Sequence, residues 1–303
     1  MGLTLFNFLN CERKEKPVEF PFPRRKLGRT GEILSIIGLG GIVVKDVEQP
    51  EANNIVAKAY DRGINYFDVA PTYGNAEEQL GPALKSYRSN CFLACKTTQR
   101  EKDGAQQELH ESLVKLQTDH FDLYQLHALT TVEDVEKVFG PDGAMEVFLK
   151  AKQDGKVRFF GFSAHSEQAA LLAMEKFDFD TVLFPINFVC WYQGNFGPKV
   201  VAKAREKQMG ILALKALAFS RIPENEKKPY EKLWYVPIED NEVADLALRF
   251  TLSQGTTAAI PPGEEKFFWK AVEMAQKFMP ISTKETEKLK TISEGVEPLF
   301  RSA

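Results

Sequence analysis

The chain has 303 residues (34.2 kDa), a length that suits one α/β barrel or two smaller domains. Its 39 Lys and Arg against 42 Asp and Glu leave a net charge of −3, which argues against a nucleic-acid binder that works through bulk positive charge. No apolar run approaches the ~20 residues that span a bilayer, so no membrane association is expected.

The first eleven residues, MGLTLFNFLNC, lack a preceding basic residue and a small-x-small cleavage site. They predict no secretory signal, and the protein is expected in the cytoplasm. Residues 12–26 (ERKEKPVEFPFPRRK) are charged and rich in proline. We read residues 1–23 as a flexible extension and 24–303 as one domain. The segment RRKLGRTGEILS places a Gly-Arg-Thr-Gly turn between short extended pieces, which predicts a hairpin capping one end of the body.

From Ile33 onward, eight apolar runs follow in order: ILSIIGLGG, NYFDVAP, CFLACKT, DLYQLHA, VRFFGFSA, TVLFPIN, GILALKAL and TAAIPPG. Helical stretches are predicted near Pro50, Asn75, Asp103, Val132, Ser166, Phe196, Glu239 and Glu264, with a last helix over Thr283 to Glu294. In the stretch near Asp103, Leu109, Leu113 and Leu116 form one apolar stripe among polar neighbours. Continuous apolar strands, each followed by a helix, imply a parallel sheet covered by helices. Eight such units predict a (β/α)8 TIM barrel with an N-terminal hairpin cap and an extra C-terminal helix. A doubly wound dinucleotide fold fits poorly, because Gly38-Leu39-Gly40-Gly41 runs into Ile42-Val43 without the third glycine of G-x-G-x-x-G.

The four cysteines, Cys11, Cys91, Cys95 and Cys190, are scattered and read as structural thiols. Cys91 and Cys95 on one strand would stand ~13 Å apart, too far to share a metal. A metal-dependent hydrolase would need several ligands at strand ends, and only His127 and His165 qualify, so no metal is expected.

In such a barrel, catalytic groups gather at the C-terminal ends of the strands. Asp68 ends the second strand and Tyr73 follows five residues later; Lys96 ends the third strand and His127 the fourth. Buried Asp68 and Lys96 should neutralise each other, since unpaired buried charges cost several kcal/mol. A lysine ammonium beside a tyrosine favours the phenolate and lowers a pKa that is otherwise near ~10. An adjacent histidine orients a carbonyl oxygen. Together these groups can protonate a carbonyl as hydride arrives.

The strings RKLGRTG, GINYFDVAPTYGNAEEQLGPALK, ACKT, SLVKLQTDHFDLYQLH and KVRFFGFSAHS resemble the aldo-keto reductase superfamily, over residues 24 to 280. The resemblance implies a nicotinamide-dependent oxidoreductase with an Asp68–Tyr73–Lys96–His127 tetrad. Tyr73 would be the general acid, Lys96 and Asp68 its tuning pair, and His127 the carbonyl-orienting group. It also implies a cofactor, NADP or NAD, in contact with Gly41, Asp68, Ser163, Asn187, Leu214, Lys215, Pro261, Pro262, Gly263 and Lys266. Ser163 and Asn187 would meet the nicotinamide.

Three places depart from the family pattern. Ala164 and His165 follow Ser163 where Ser-Asn is common, and Leu214-Lys215-Ala216-Leu217 replaces Tyr-Ser-Pro-Leu. Glu264 and Glu265 stand where an arginine commonly meets the 2′-phosphate, leaving Lys266 as the nearest cation. These predict a weak or reversed preference for NADP over NAD. The expected activity is NAD(P)H-dependent reduction of an aldehyde, ketone or sugar, with a small-molecule carbonyl as partner. The alternative is a cofactor-binding regulatory subunit or redox sensor with little turnover. Aromatic residues populate two loops above the barrel, Trp191, Tyr192 and Phe196 in one and Phe219, Trp234 and Tyr235 in the other, and suit an apolar or sugar-face pocket.

Overall fold

The structure, a computed structural model, describes residues 22–302. Most of the extension expected over residues 1–23, and Cys11 with it, lies outside the described residues. The described residues begin with an antiparallel hairpin, β1 (Arg24–Lys26) and β2 (Ile33–Ser35). Gly28 in its turn has φ +50, and a Cβ there would meet the backbone nitrogen of Gly210 at 2.3 Å, so only glycine fits.

Eight parallel strands follow: β3 (Leu39–Gly40), β4 (Tyr66–Asp68), β5 (Phe92–Thr97), β6 (Phe121–Leu129), β7 (Val157–Ala164), β8 (Thr181–Pro185), β9 (Gly210–Leu214) and β12 (Ala258–Ile260). Each pairs with the next in order. Hydrogen bonds from Gly38 N to the Ala259 carbonyl (3.0 Å) and from Ala259 N to the Ile36 carbonyl (2.9 Å) bring the last strand back to the first. The result is a (β/α)8 barrel.

Every predicted apolar run supplies one barrel strand, but the first run does two jobs. Its Ile33–Ser35 portion belongs to the hairpin, and only Leu39–Gly40 pairs inside the barrel. Asn65 marks the division: its side-chain oxygen accepts from Ser35 N (2.7 Å), and its amide donates to the Ile33 carbonyl (2.9 Å).

Helices cover the outside: α1 (Gln49–Asp61), α2 (Ala76–Leu84), α3 (Lys102–Lys115), α4 (Val132–Phe139), α5 (Met145–Gln153), α6 (Glu167–Lys176), α7 (Phe188–Gln193), α8 (Pro198–Glu206), α9 (Asn241–Ser253), α10 (Glu265–Gln276) and the added α11 (Thr283–Ser293). The sequence reading did not predict α5 and α7. It also missed a second hairpin, β10 (Ala218–Arg221) with β11 (Tyr235–Pro237), which rises from the end of β9.

Leu27 and Leu34 from the first hairpin join Tyr66, Phe92, Leu123, Leu183 and Leu212 in a cluster filling the barrel axis. They close its N-terminal end. Burial of a leucine side chain contributes ~1.5–3 kcal/mol.

Candidate active site

The mouth at the opposite end holds a cavity of about 190 Å³, lined among others by Asp68, Tyr73, Lys96, His127 and Ser163. Each comes from the C-terminal end of a strand or the loop just beyond. The Lys96 ammonium donates to Asp68 Oδ1 and to the Val69 carbonyl (3.1 Å), and both side chains of the pair are buried. Asp68 Oδ2 accepts from Tyr66 Oη and from Gln125 Nε2, each at 3.1 Å.

The Lys96 ammonium lies 5.1 Å from the centre of the Tyr73 ring, and the His127 ring meets Tyr73 edge-on at 5.7 Å. Burial opposes the charge on Lys96, yet Asp68 and Tyr73 hold its pKa above the ordinary value. The expected net lowering of the Tyr73 pKa is corrected. Burial pushes the phenol up, Lys96 pulls it back, and Asp68 adds to the rise, leaving it above the ordinary value. The phenol is therefore neutral at physiological pH, with an ammonium at hand to stabilise the phenolate when it forms.

Burial, with Lys96 next in weight, lowers His127 to about 3, so the imidazole is neutral. Its Nδ1 is buried without a hydrogen-bond partner, which makes a proton there costly. The proton belongs on Nε2, the nitrogen open to the cavity. That tautomer presents a hydrogen-bond donor to a ligand oxygen.

Ser163 Oγ accepts from Ala128 N at 2.7 Å, leaving the hydroxyl hydrogen available to donate. Leu214, Lys215, Pro261 and Gly263 also line the cavity. Lys215 has φ +66, and its ammonium sits 4.8 Å from the Trp234 ring centre and 4.7 Å from that of Tyr235. Burial lowers its pKa to about 8. No carboxylate pairs with it among the described residues.

Other expected positions have different jobs. Asn187 caps α7 by accepting from Cys190 N (3.0 Å), and its amide donates to the carbonyls of Lys215 (3.0 Å) and Ala218 (2.5 Å). Both amide hydrogens are consumed, so it shapes the backbone at Lys215 instead of facing the cavity. Gly41 packs against Val69, whose Cγ2 would stand 2.7 Å from an added Cβ. Pro262 is buried beside the lining without contributing to it. Lys266 is turned outward onto the Tyr230 ring and hydroxyl.

Of the loop aromatics, Trp234 and Tyr235 line the cavity. Trp191 and Tyr192 pack on Phe250, and Phe196 stacks on Phe184, so these three belong to the shell. Sequence reasoning missed Lys232, which lines the cavity and donates to the Val43 carbonyl (3.1 Å). It lies in the long connection between β10 and β11, where no periodicity points to it; its place in the run KLWY was the available signal.

The cavity's ionisable lining is thus three lysines, two histidines, two tyrosines and a single carboxylate, Asp68, already paired with Lys96. Lys215 and Lys232 are the cations left over. That donor set fits the diphosphate of a dinucleotide.

A parallel barrel whose strand ends assemble a tyrosine, a lysine–carboxylate pair and a neutral imidazole defines a class of oxidoreductase barrels. The chain belongs to the aldo/keto reductase family, whose model matches residues 36–294. It is 34% identical over 155 residues to the uncharacterized oxidoreductase YqkF of Bacillus subtilis, covering 46% of this chain and 48% of that protein. It is 29% identical over 223 residues to L-galactose dehydrogenase of Arabidopsis thaliana, covering 66% of this chain and 67% of that one. The matched stretch thus spans about half of YqkF. Among solved structures, the holo form of aldo-keto reductase AKR11C1 from Bacillus halodurans superposes with a TM-score of 0.72 at 21% identity, covering 92% of this chain and 98% of that one. That likeness shows the same fold.

Proposed function

We propose that the protein is an NAD(P)H-dependent reductase of small carbonyl compounds. The convergence of Tyr73, Lys96 and His127 on one cavity carries this reading. Reduced nicotinamide, when bound, supplies the hydride. Tyr73 gives its proton to the carbonyl oxygen, and His127 donates from Nε2 to the same oxygen. Lys96 stabilises the phenolate left on Tyr73, and Asp68 keeps the ammonium charged and in place. Water re-protonates Tyr73 after the alcohol leaves.

Lys215 and Lys232 would hold the diphosphate, with Pro261 and Gly263 shaping the approach to the N-terminus of α10, and Ser163 and Leu214 would meet the nicotinamide. The carboxylate of Glu264 accepts from Lys232 N (3.0 Å), Glu265 accepts from Trp269 Nε1 (2.5 Å), and Lys266 is engaged with Tyr230. Lys266, the one cation of the three, is held on Tyr230 beside two carboxylates, which supports a weak or reversed preference for NADP. The test is oxidation of both reduced cofactors with a panel of aldehydes, ketones and sugars, together with fluorescence titration of each cofactor at low salt. Turnover supports the reductase. Tight cofactor binding without turnover would favour the regulatory or redox-sensing alternative. NADPH binding more than about a hundredfold tighter than NADH, a gap of ~2.7 kcal/mol, would overturn the cofactor assignment.

A further inference from the structure

His127 has no side-chain hydrogen bond to fix its ring, because its buried Nδ1 is unpartnered and Nε2 faces the cavity. Its aim is therefore set by the backbone beneath it. That backbone is unusual. The pairing of β6 with β7 slips between Leu126 and Leu129, and Ala128 adopts φ +53, a left-handed conformation that a residue with a Cβ avoids. Something must hold it there.

Two groups do. Ser163 Oγ accepts from Ala128 N at 2.7 Å. From the other side, Arg100 Nη2 donates to both the His127 carbonyl (2.9 Å) and the Ala128 carbonyl (3.0 Å). Arg100 is itself braced: Nη1 donates to the Thr98 carbonyl (3.1 Å) and Nε to Asp134 Oδ1 (3.0 Å). Asp134 in turn accepts from Thr130 N and Thr130 Oγ1, each at 2.9 Å, and pairs with Thr131 in the capping box that opens α4. Only a planar fork with several donors spans these partners together; one ammonium does not.

We infer that Arg100 is a positioning residue for the reaction, clamping the β6 bulge so that His127 points its Nε2 donor at the carbonyl oxygen. The inference deepens the reductase reading and rests on it for its kinetic arm. Without Arg100, two carbonyls lose their donor and the strained Ala128 peptide can relax, swinging a ring that no side-chain hydrogen bond ties down.

The test uses Arg100→Met and Arg100→Lys in the full chain. Arg100→Met should lower kcat by tenfold or more while cofactor affinity stays within twofold, and should raise the deuterium isotope effect on hydride transfer. Added guanidinium should restore part of the rate, and Arg100→Lys should fall between the two. Independently of turnover, ¹⁵N spectra of the four histidine rings report the tautomer in the free protein. The His127 signals, assigned by their loss in His127→Gln, should show a fixed Nε2–H form in wild type and averaging tautomers in Arg100→Met. If Arg100→Met does not fold, the same comparisons are made on Arg100→Lys. Unchanged His127 nitrogen shifts, or a rate loss without a change in isotope effect, would overturn the inference. A wild type that reduces no carbonyl would sink the reductase reading and leave the nitrogen spectra to judge the clamp.

Discussion

Lys96 and Asp68 form a buried ion pair, and the second carboxylate oxygen is occupied by Tyr66 and Gln125. Asp68 is thereby an anchor. One oxygen holds the lysine, which faces Tyr73, and the other is fixed by its two donors. Removing one member of such a pair leaves an uncompensated buried charge and costs ~3–5 kcal/mol. Asp68→Leu should show that loss in urea denaturation, and Asp68→Leu combined with Lys96→Met should recover much of it while remaining inactive. A double variant no more stable than the single one would contradict the pairing.

Tyr73→Phe removes the acidic hydroxyl and little volume. Carbonyl reduction should fall by ~10²–10⁴-fold, the usual contribution of a positioned acid. Cofactor affinity should barely change. Retention of more than about a tenth of kcat would count against Tyr73 as the proton donor.

Acid should weaken the fold through the mouth of the barrel. Burial lowers His127 to about 3 and His165 to about 4 from an ordinary 6.5. Between pH 6.5 and those values the unfolded chain binds protons that the folded chain refuses, so stability falls as pH drops. Above pH 6.5 both states are neutral and the full stability is present. The slope reaches ~1.4 kcal/mol per pH unit for each ring. In His165→Leu, stability measured from pH 6.5 down to 4 should decline more gently than in wild type by up to that amount; an equal slope would argue that His165 is protonated in the fold.

Lys215 titrates where cofactor binding is measured. With its pKa at about 8, it is a cation at pH 7 and mostly neutral at pH 9. Affinity for either nicotinamide dinucleotide should be level below pH 8 and fall above it, by up to about tenfold at pH 9. In Lys215→Arg the guanidinium stays charged throughout, and the fall should vanish. A wild-type affinity that is flat to pH 9 would remove Lys215 from the diphosphate site.

The eight barrel strands were legible because each is an apolar run too short to be a helix, and Asp68, Lys96 and His127 stood out as ionisable groups at their ends. The connections were less so. Met145–Gln153 carries no cap or proline to announce a second helix after β6, and its apolar face is brief. The β10–β11 hairpin pairs segments separated by a long polar stretch, a contact that local pattern does not encode. Asn187 illustrates the limit for single residues: its place after β8 was correctly read, but its amide is consumed by the Lys215 and Ala218 carbonyls, partners that only the folded chain brings near. Arg100 reads in sequence as a loop charge. Its role emerges once β5 and β6 lie side by side.

Leu27 and Leu34 stopper the floor of the barrel, and this has a kinetic consequence. Among the described residues, traffic has one door. Two ligands that share it cannot arrive and depart independently: whichever lies deeper must enter first and leave last. Steady-state turnover with both ligands varied should therefore follow an ordered sequence, and the hairpin carrying Trp234 and Tyr235, hanging over that doorway, becomes the natural place to look for the slowest step.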